Sequence, residues 1–398
     1  MRLVAHQEQT MAHMYGLNEA QQKFATTAAK VAKEVLSKHA AEVDKSGRYP
    51  KESIEALRQA GLMGLCVPTT HGGHGQPPRT FAAVVEELAK ACASTAMIYV
   101  MHVTASQQIG ASATLKNKDQ ILKDIAAGKH LTTLAFSEKG SRSQFWAPVS
   151  KLIASGAGFT TDASKSWVTT AGNADSYVSS GQMPGAKSPM ESTLYLLRKG
   201  TAGVKIVGPF DGLGLRGNDS SPVELSKTPI SNDDLLTKQG EGAGGMLQVV
   251  LPWFVVGTSA MANGLCLAAI EATQGHLIGA GFDHLGQKLR DLPNLRARLT
   301  EMNVKAQQSR ALLGYTVGEM EAPNDFTPLW VLQSRIAALE AATDVTDLAM
   351  KACGGAAFSK HLPIERLFRD ARAGWVMAPT VDHLKEFTGR ALTGLPLF

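Results

Sequence analysis

The spacing of apolar residues along the chain changes character twice. From residue 17 to about 127 it is helical: Phe81, Val84, Val85 and Leu88 fall at i, i+3, i+4 and i+7, which is one buried helix face. Pro50 opens a helix carrying Ile54 and Leu57, and Gly61 stops it, the preferred arrangement of Pro at the start and Gly at the end. Residues 68–78 form a Gly- and Pro-rich loop. From 130 to about 235 the chain breaks into short β-branched stretches (131–136, 149–154, 167–170, 193–197 and 204–207) separated by Gly, Ser, Asn and Asp. With no helices between them, these predict an antiparallel β-domain and not a βαβ nucleotide-binding unit. From Gly245 onward the helical period returns. Leu295, Leu299, Met302, Ala306, Leu313 and Val317 keep a 3–4 spacing, as do Leu332, Ile336, Leu339, Thr343, Thr346 and Met350. Two long one-faced helices joined through Pro323 and Pro328 predict an antiparallel bundle. The expected fold is α+β in several parts: a leader over 1–16, a helical domain over 17–128, a β-barrel over 129–236 and a four-helix bundle over 237–398.

Composition narrows the function classes. With 398 residues, 44% hydrophobic and 19% charged, the chain reads as an ordinary globular protein large enough for two or three domains. A net charge of +5 favours anionic ligands slightly and is too scattered to indicate nucleic acid. Cys66, Cys92, Cys266 and Cys353 form no C-x-x-C pair, which suggests reduced buried thiols, and the histidines lack metal-ligand spacing. The first fifteen residues carry His6, Glu8 and His13 where a signal peptide would need an apolar core, so they read as a loose leader. No window reads as a membrane span of roughly 20 apolar residues, and the expected location is the cytoplasm.

Four local motifs carry chemistry. The first is Phe136-Ser137-Glu138-Lys139-Gly140-Ser141-Arg142-Ser143, a strand end rich in hydroxyls followed by a Gly turn. Backbone N–H groups and short hydroxyls of this kind reach a ring nitrogen or a phosphate without steric conflict. The second is Lys165-Ser166-Trp167-Val168-Thr169-Thr170, and the third is Gly214-Leu215-Arg216-Gly217-Asn218-Asp219-Ser220. The fourth runs from Gly354-Gly355-Ala356-Ala357-Phe358 to Pro363-Ile364-Glu365-Arg366-Leu367-Phe368-Arg369-Asp370-Ala371. Together they resemble, respectively, the T-E-P-x-x-G-S-D, G-x-K-x-W-I-T-N, G-x-R-G-S-x-T and G-G-x-G-y … P-x-E-R-x-x-R-D-A segments of the acyl-CoA dehydrogenase family. The likeness extends from about Leu17 to about Leu392.

The resemblance implies FAD, with FMN less favoured, held by Phe136, Ser137, Arg142, Ser143, Trp167, Val168, Thr169 and Thr380, and from the bundle by Leu285, Lys351, Gly354, Gly355 and Asp382. It implies a substrate side lined by Trp253, Phe254, Met377 and Ala378, a structural ion pair between Arg369 and Asp370, and association as a homotetramer or homodimer. The bulk of Trp253 and Phe254 points to a short or ring-shaped acyl group, which efficient turnover of a long-chain acyl-CoA would refute.

Three departures from the family pattern follow. The family's catalytic Glu, seven residues after the R-D-A alanine, is here Ala378, and the helix through Leu251, Pro252, Trp253, Phe254, Val255 and Val256, where other members carry it, has no acid. Removal of an α-proton next to a thioester needs a base, and a positioned one contributes typically ~10²–10⁴-fold. The remaining candidates are Asp382 and Glu138, with His383 and Glu386 nearby. Phe282 stands where the family has a pyrophosphate-binding Arg, Leu285 where it has Phe and Lys351 where it has Gln. Lys351 offers a point charge in place of the lost fork. Arg142 and Gln144 replace the usual Gly and Asp.

Three functions are compatible with these features. The first is an FAD-dependent α,β-dehydrogenase of an acyl-CoA-type thioester passing hydride to flavin N5, with electron-transfer flavoprotein as partner. The second is a monooxygenase on the same fold, supplied with reduced flavin by a flavin reductase and needing no α-proton base. The third is a non-catalytic flavin- or CoA-binding homologue.

Overall fold

The computed structural model describes residues 14–397. The N-terminal part is helical: α1 (Glu19–Val31), a π-helical turn (Ala32–Leu36), α2 (Ser37–Ser46), α3 (Lys51–Gln59), α4 (Pro78–Ala91), α5 (Ala93–Ala111) and α6 (Lys118–Ala126). Asn18 starts α1 through a capping box: its side chain accepts from the Gln21 amide while the Gln21 side chain accepts from the Asn18 amide. Phe81, Val84, Val85 and Leu88 of α4 are all fully buried, as their spacing predicts.

The middle part contains seven strands: β1 (Thr132–Ala135), β2 (Leu152–Ser155), β3 (Gly158–Val168), β4 (Ser176–Gln182), β5 (Ser192–Arg198), β6 (Val204–Ile206) and β7 (Ser221–Ser231). They form two sheets, ordered β1-β4-β5 and β2-β3-β7-β6. Single bridges between Glu138 and Lys165 and between Lys151 and Gln182 join the sheets at their edges. One expectation is corrected here: β1 runs parallel to β4, so the domain is mixed and not wholly antiparallel. The connection between those two strands passes through β2 and β3 in the other sheet, which frees the chain from a hairpin return. A second correction concerns residues 167–170. The strand ends at Val168, and Thr170 turns left-handed with φ 63°.

The C-terminal part consists of α7 (Leu251–Gly279), α8 (Pro293–Glu321), α9 (Thr327–Cys353), α10 (Ile364–Val376) and α11 (Val381–Leu392). The run Gly242–Gly279 is apolar and long enough to cross a membrane, contrary to the sequence reading. It is the core of the fold: 83% of its apolar window is buried inside the protein, where α7 packs against α4, α5, α8, α9 and α10.

Polar ties fix the parts to one another. The leader reading fails at Tyr15, which is buried and donates a hydrogen bond to Glu86; residues 1–13 lie outside the described residues. Glu86 also receives Arg310 Nη2 at 2.8 Å and Nε at 3.0 Å. Asn263 Nδ2 donates to the Tyr15 hydroxyl at 3.2 Å and accepts from Ser309 Oγ at 2.5 Å, so one buried network joins four segments.

A second tie is His102 on α5. Its Nε2 donates to the Met63 carbonyl and its Nδ1 accepts from the Thr132 amide, both at 3.2 Å, which docks the helical part onto β1. Burial pushes its pKa down to about 4 from 6.5, so the folded chain holds it neutral. Between those values the unfolded chain binds the proton and the folded chain does not, so acid weakens the fold. We expect wild-type stability to fall by on the order of 3 kcal/mol as the pH drops through that window. Urea midpoints measured across it should show His102→Gln lacking this component, and parallel curves for the two proteins would disprove the assignment.

Candidate active site

The predicted cofactor segments converge at one end of the β-domain. The Ser166 amide donates to the Ser137 carbonyl at 2.9 Å, which puts the Phe136–Ser137 strand end beside Trp167. Thr133 Oγ1 donates to the Thr169 carbonyl at 2.8 Å, and Thr169 Oγ1 lies 3.1 Å from Ser220 Oγ. Val168 is buried beneath them. Trp167 projects outward, 62% exposed, with the edge of Phe210 against it. Arg142 and Ser143 hold successive positive φ values of 49° and 68°, a conformation that costs non-glycine residues ~1–3 kcal/mol each and clusters at ligand clamps.

The helical side reaches this end through α10 and α11. Thr380 caps α11, and its Oγ1 lies 3.0 Å from His383 Nδ1. The His383 ring meets Trp146 edge-on at 6.0 Å, Trp146 meets Phe145 at 5.2 Å, and Phe145 stacks with Phe136 at 6.3 Å. This aromatic chain links Thr380 to Ser137. Phe145 and Trp146 escaped the sequence reading; the signal was a pair of adjacent aromatics inside a turn otherwise made of Ser, Arg and Gln.

On the other flank, the segment Met377–Ala378 lies over the start of α7. Arg335 of α9 donates from Nη2 to the Met377 carbonyl at 3.1 Å and places Cζ 4.7 Å over the Phe254 ring. Trp253 packs against Phe81 at 5.7 Å. Arg335 was not predicted, although its place between Leu332 and Leu339 on an apolar helix face marks it.

Of the two candidate bases, Glu138 is engaged elsewhere. Glu138 is buried in an ion pair with Lys165 Nζ at 2.5 Å and also accepts from the Val149 amide at 2.8 Å, the Ser150 amide at 2.7 Å and Ser150 Oγ at 2.5 Å. Burial raises its pKa, but Lys165 and Ser150 outweigh that and hold the carboxyl below its ordinary range. All of its lone pairs are engaged in joining the two sheets, so it has none for a substrate proton. Asp382 is exposed in the first turn of α11. Ala378 presents only a methyl group.

The bundle contributors lie elsewhere within one chain. Lys351 is exposed and paired with Asp347 at 2.5 Å, Leu285 is exposed in the turn of a two-stranded ribbon, and Gly354 and Gly355 begin the short helix Gly355–Phe358, which lies before α10 in the chain, while Met377 follows α10's other end. Gly354 has φ 52° and ψ −131°, a glycine conformation, and nothing lies within 4 Å of a side chain built at either glycine. The expected Arg369–Asp370 pair is also corrected. Arg369 Nη2 pairs with Asp44 at 2.6 Å and its Nε with Glu365 at 2.8 Å, while Asp370 accepts the Leu215 amide at 2.7 Å. The pair spans three parts of the fold instead of closing on itself.

The donor set fits a flavin. An exposed Trp at a strand end, the hydroxyls of Ser137, Thr169 and Thr380, and the buried Thr170 Oγ1, which lacks a partner among the described residues, supply a stacking face and hydrogen-bonding groups.

Fold and site together define an acyl-CoA dehydrogenase-type protein. The acyl-CoA dehydrogenase N-terminal domain profile matches residues 18–129 and the C-terminal domain profile residues 251–391, and the chain belongs to that family. It is 27% identical over 359 residues to the mitochondrial short-chain specific acyl-CoA dehydrogenase of Bos taurus, covering 89% of this chain and 86% of that one. It is 26% identical over 401 residues to 3-sulfinopropanoyl-CoA desulfinase of Paraburkholderia xenovorans, covering 96% and 98%. The structure of butyryl-CoA dehydrogenase from Megasphaera elsdenii superposes with a TM-score of 0.90 at 23% identity, covering 95% and 99%.

The role given to Glu138 is testable. Glu138→Gln leaves Lys165 buried without its partner and should cost about 3–5 kcal/mol at neutral pH. Because the native carboxyl titrates below its usual 4.5, the difference from wild type should shrink as the pH falls through that depressed value. Denaturant unfolding at neutral and acid pH checks both; an E138Q variant of wild-type stability would restore Glu138 as a candidate base.

Proposed function

We propose that this protein is an FAD-dependent oxidoreductase acting on an acyl-CoA-type thioester by α,β-dehydrogenation. The observation carrying this reading is the convergence of Ser137, Trp167 and Thr169 from the β-domain with the Met377–Thr380 segment. The relatives named above, a short-chain acyl-CoA dehydrogenase and a 3-sulfinopropanoyl-CoA desulfinase, share the CoA thioester as substrate type and support the substrate class.

In this reading Trp167 covers one side of the flavin, and the hydroxyls of Ser137, Thr169 and Thr380 orient it. The flavin, when bound, supplies the two-electron acceptor. Trp146 and Phe145 keep water from the cleft, and Met377 and Phe254 shape the space for the acyl chain. Lys351, Gly354 and Gly355 serve the cofactor of a second copy, as the family resemblance implies. Phe358, 84% exposed, gives that copy apolar surface to cover, and Trp375 and Val376 at the C-terminal end of α10 are exposed as well. Re-oxidation falls to an electron-transfer flavoprotein.

Ala378 favours a second reading, the reduced-flavin monooxygenase, because that chemistry needs no base at this position. Anaerobic titration of the flavin-loaded protein with saturated acyl-CoAs separates the two. Bleaching of the oxidised-flavin absorbance by one of them supports dehydrogenation; bound flavin that none of them bleaches overturns it in favour of the second reading. Placing a carboxylate where the family has one is the companion experiment. Ala378→Glu should accelerate bleaching by butanoyl-CoA by roughly 10²–10⁴-fold. No acceleration in a folded, flavin-loaded variant would show that position 378 does not face the α-carbon.

A further inference from the structure

Arg335 is fully buried, yet among the described residues only Nη2 of its three side-chain nitrogens has a hydrogen-bond partner. Nη2 meets the Met377 carbonyl, the guanidinium plane rests on Phe254, and Nε and Nη1 have no hydrogen-bond partner among the described residues. The chain's other deeply buried cations are matched: Arg310 by Glu86 and Lys165 by Glu138. No carboxylate among the described residues forms an ion pair with Arg335. Burial alone pushes its pKa down to about 9, so it still carries its charge at neutral pH. A buried cation without an anion is costly and persists where something else supplies the anion. The family's acid at the neighbouring position 378 is a methyl group here, so the chain supplies no negative charge on that side.

We propose that Arg335 receives an oxyanion carried at the far end of the acyl chain, a carboxylate in the simplest case, and so makes the site selective for acyl thioesters with a negatively charged terminus. The proposal rests on the thioester reading of the cleft. The contacts of Arg335 place it against Met377 and Phe254, the residues assigned to the acyl side. The Nε and Nη1 groups remain for the anion, and the aromatic face of Phe254 keeps water from competing for them. The half-buried Met377 side chain, unbranched and flexible, gives way as the acyl terminus enters.

The test is calorimetric titration of the flavin-loaded protein with succinyl-CoA and with 4-methylpentanoyl-CoA, its uncharged isostere, for wild type, Arg335→Met and Arg335→Lys. Wild type should prefer succinyl-CoA by roughly tenfold to a hundredfold. Arg335→Met should bring that ratio to about one or below, and Arg335→Lys should keep part of it as a point charge without the fork. The ligand-free Arg335→Met protein should melt no lower than wild type, because the substitution removes an uncompensated buried charge. Equal wild-type affinity for both thioesters, or a succinyl preference that survives in Arg335→Met, overturns the proposal while leaving the thioester reading in place. If neither thioester binds wild type, the thioester reading falls first and this inference with it. Should Arg335→Met fail to fold, the wild-type ratio and the Lys variant still decide the question.

Discussion

The position of every group at the site depends on one cross-domain clamp. Arg369 reaches Asp44 on α2 and Glu365 on α10, and also donates to the Leu213 carbonyl, while Asp370 beside it takes the Leu215 amide. Helix α10 is thereby fastened at once to the N-terminal helices and to the turn before β7. Gly214 makes the approach possible, since a side chain there would meet the Arg369 carbonyl at 2.4 Å. The same helix ends at Val376, and the next residues are Met377, Ala378 and Thr380. A shift of α10 against the β-domain would carry that segment away from Ser137 and Trp167. The clamp sits about a helix turn or two from the chemistry, close enough for its geometry to be passed on without slack.

The interior holds charge in a patterned way. Glu86 and Arg310 tie α4 to α8, with Tyr15 and Asn263 saturating what the pair leaves over. Glu138 and Lys165 tie the two sheets, with Ser150, Val149 and the Ser180 carbonyl doing the same. Both sets sit where two separately folding layers must meet in one register, and both are satisfied on nearly every lone pair and proton. Removing one partner of such a pair is far more damaging than never having had it, because the survivor is left charged in a poor dielectric. Arg335 is built unlike either. It has the burial of Arg310 and the isolation of a residue awaiting a partner.

Much of this was legible along the chain, for reasons that also explain the gaps. The helical period over α4, α8 and α9 marks buried faces because an isolated helix face has one solution, to be covered. Strand β4 (Ser176–Gln182) was invisible: its Ser-rich run carries little hydropathy, since Ser179 bonds the Ala135 carbonyl and the Ser180 carbonyl receives Lys165 inside the domain. The parallel pairing of β1 with β4 was invisible too, because strand direction follows from connection and not from side-chain pattern. Tyr15 read as leader because its partner is 71 residues away. At the site the structure brings Ser137, Trp167 and Thr169 of the motifs to one end of the β-domain and links Thr380 to them through His383, Trp146, Phe145 and Phe136. They misassigned Glu138, since a Glu in a motif looks the same whether its partner is a substrate or a buried lysine.

The two anomalies at the acyl side belong together. In the family a carboxylate occupies position 378; here that charge is gone, and one residue before it the backbone carbonyl holds a buried guanidinium. With alanine at 378, the position next to the carbonyl that Arg335 holds carries no charge of its own. An Arg335 with no carboxylate near it keeps its charge available for whatever enters the cleft. Absence of the acid and presence of the arginine therefore act in one direction. In the proposed reading they leave the acyl side without the family's usual carboxylate and with a buried positive charge open to an anionic acyl terminus.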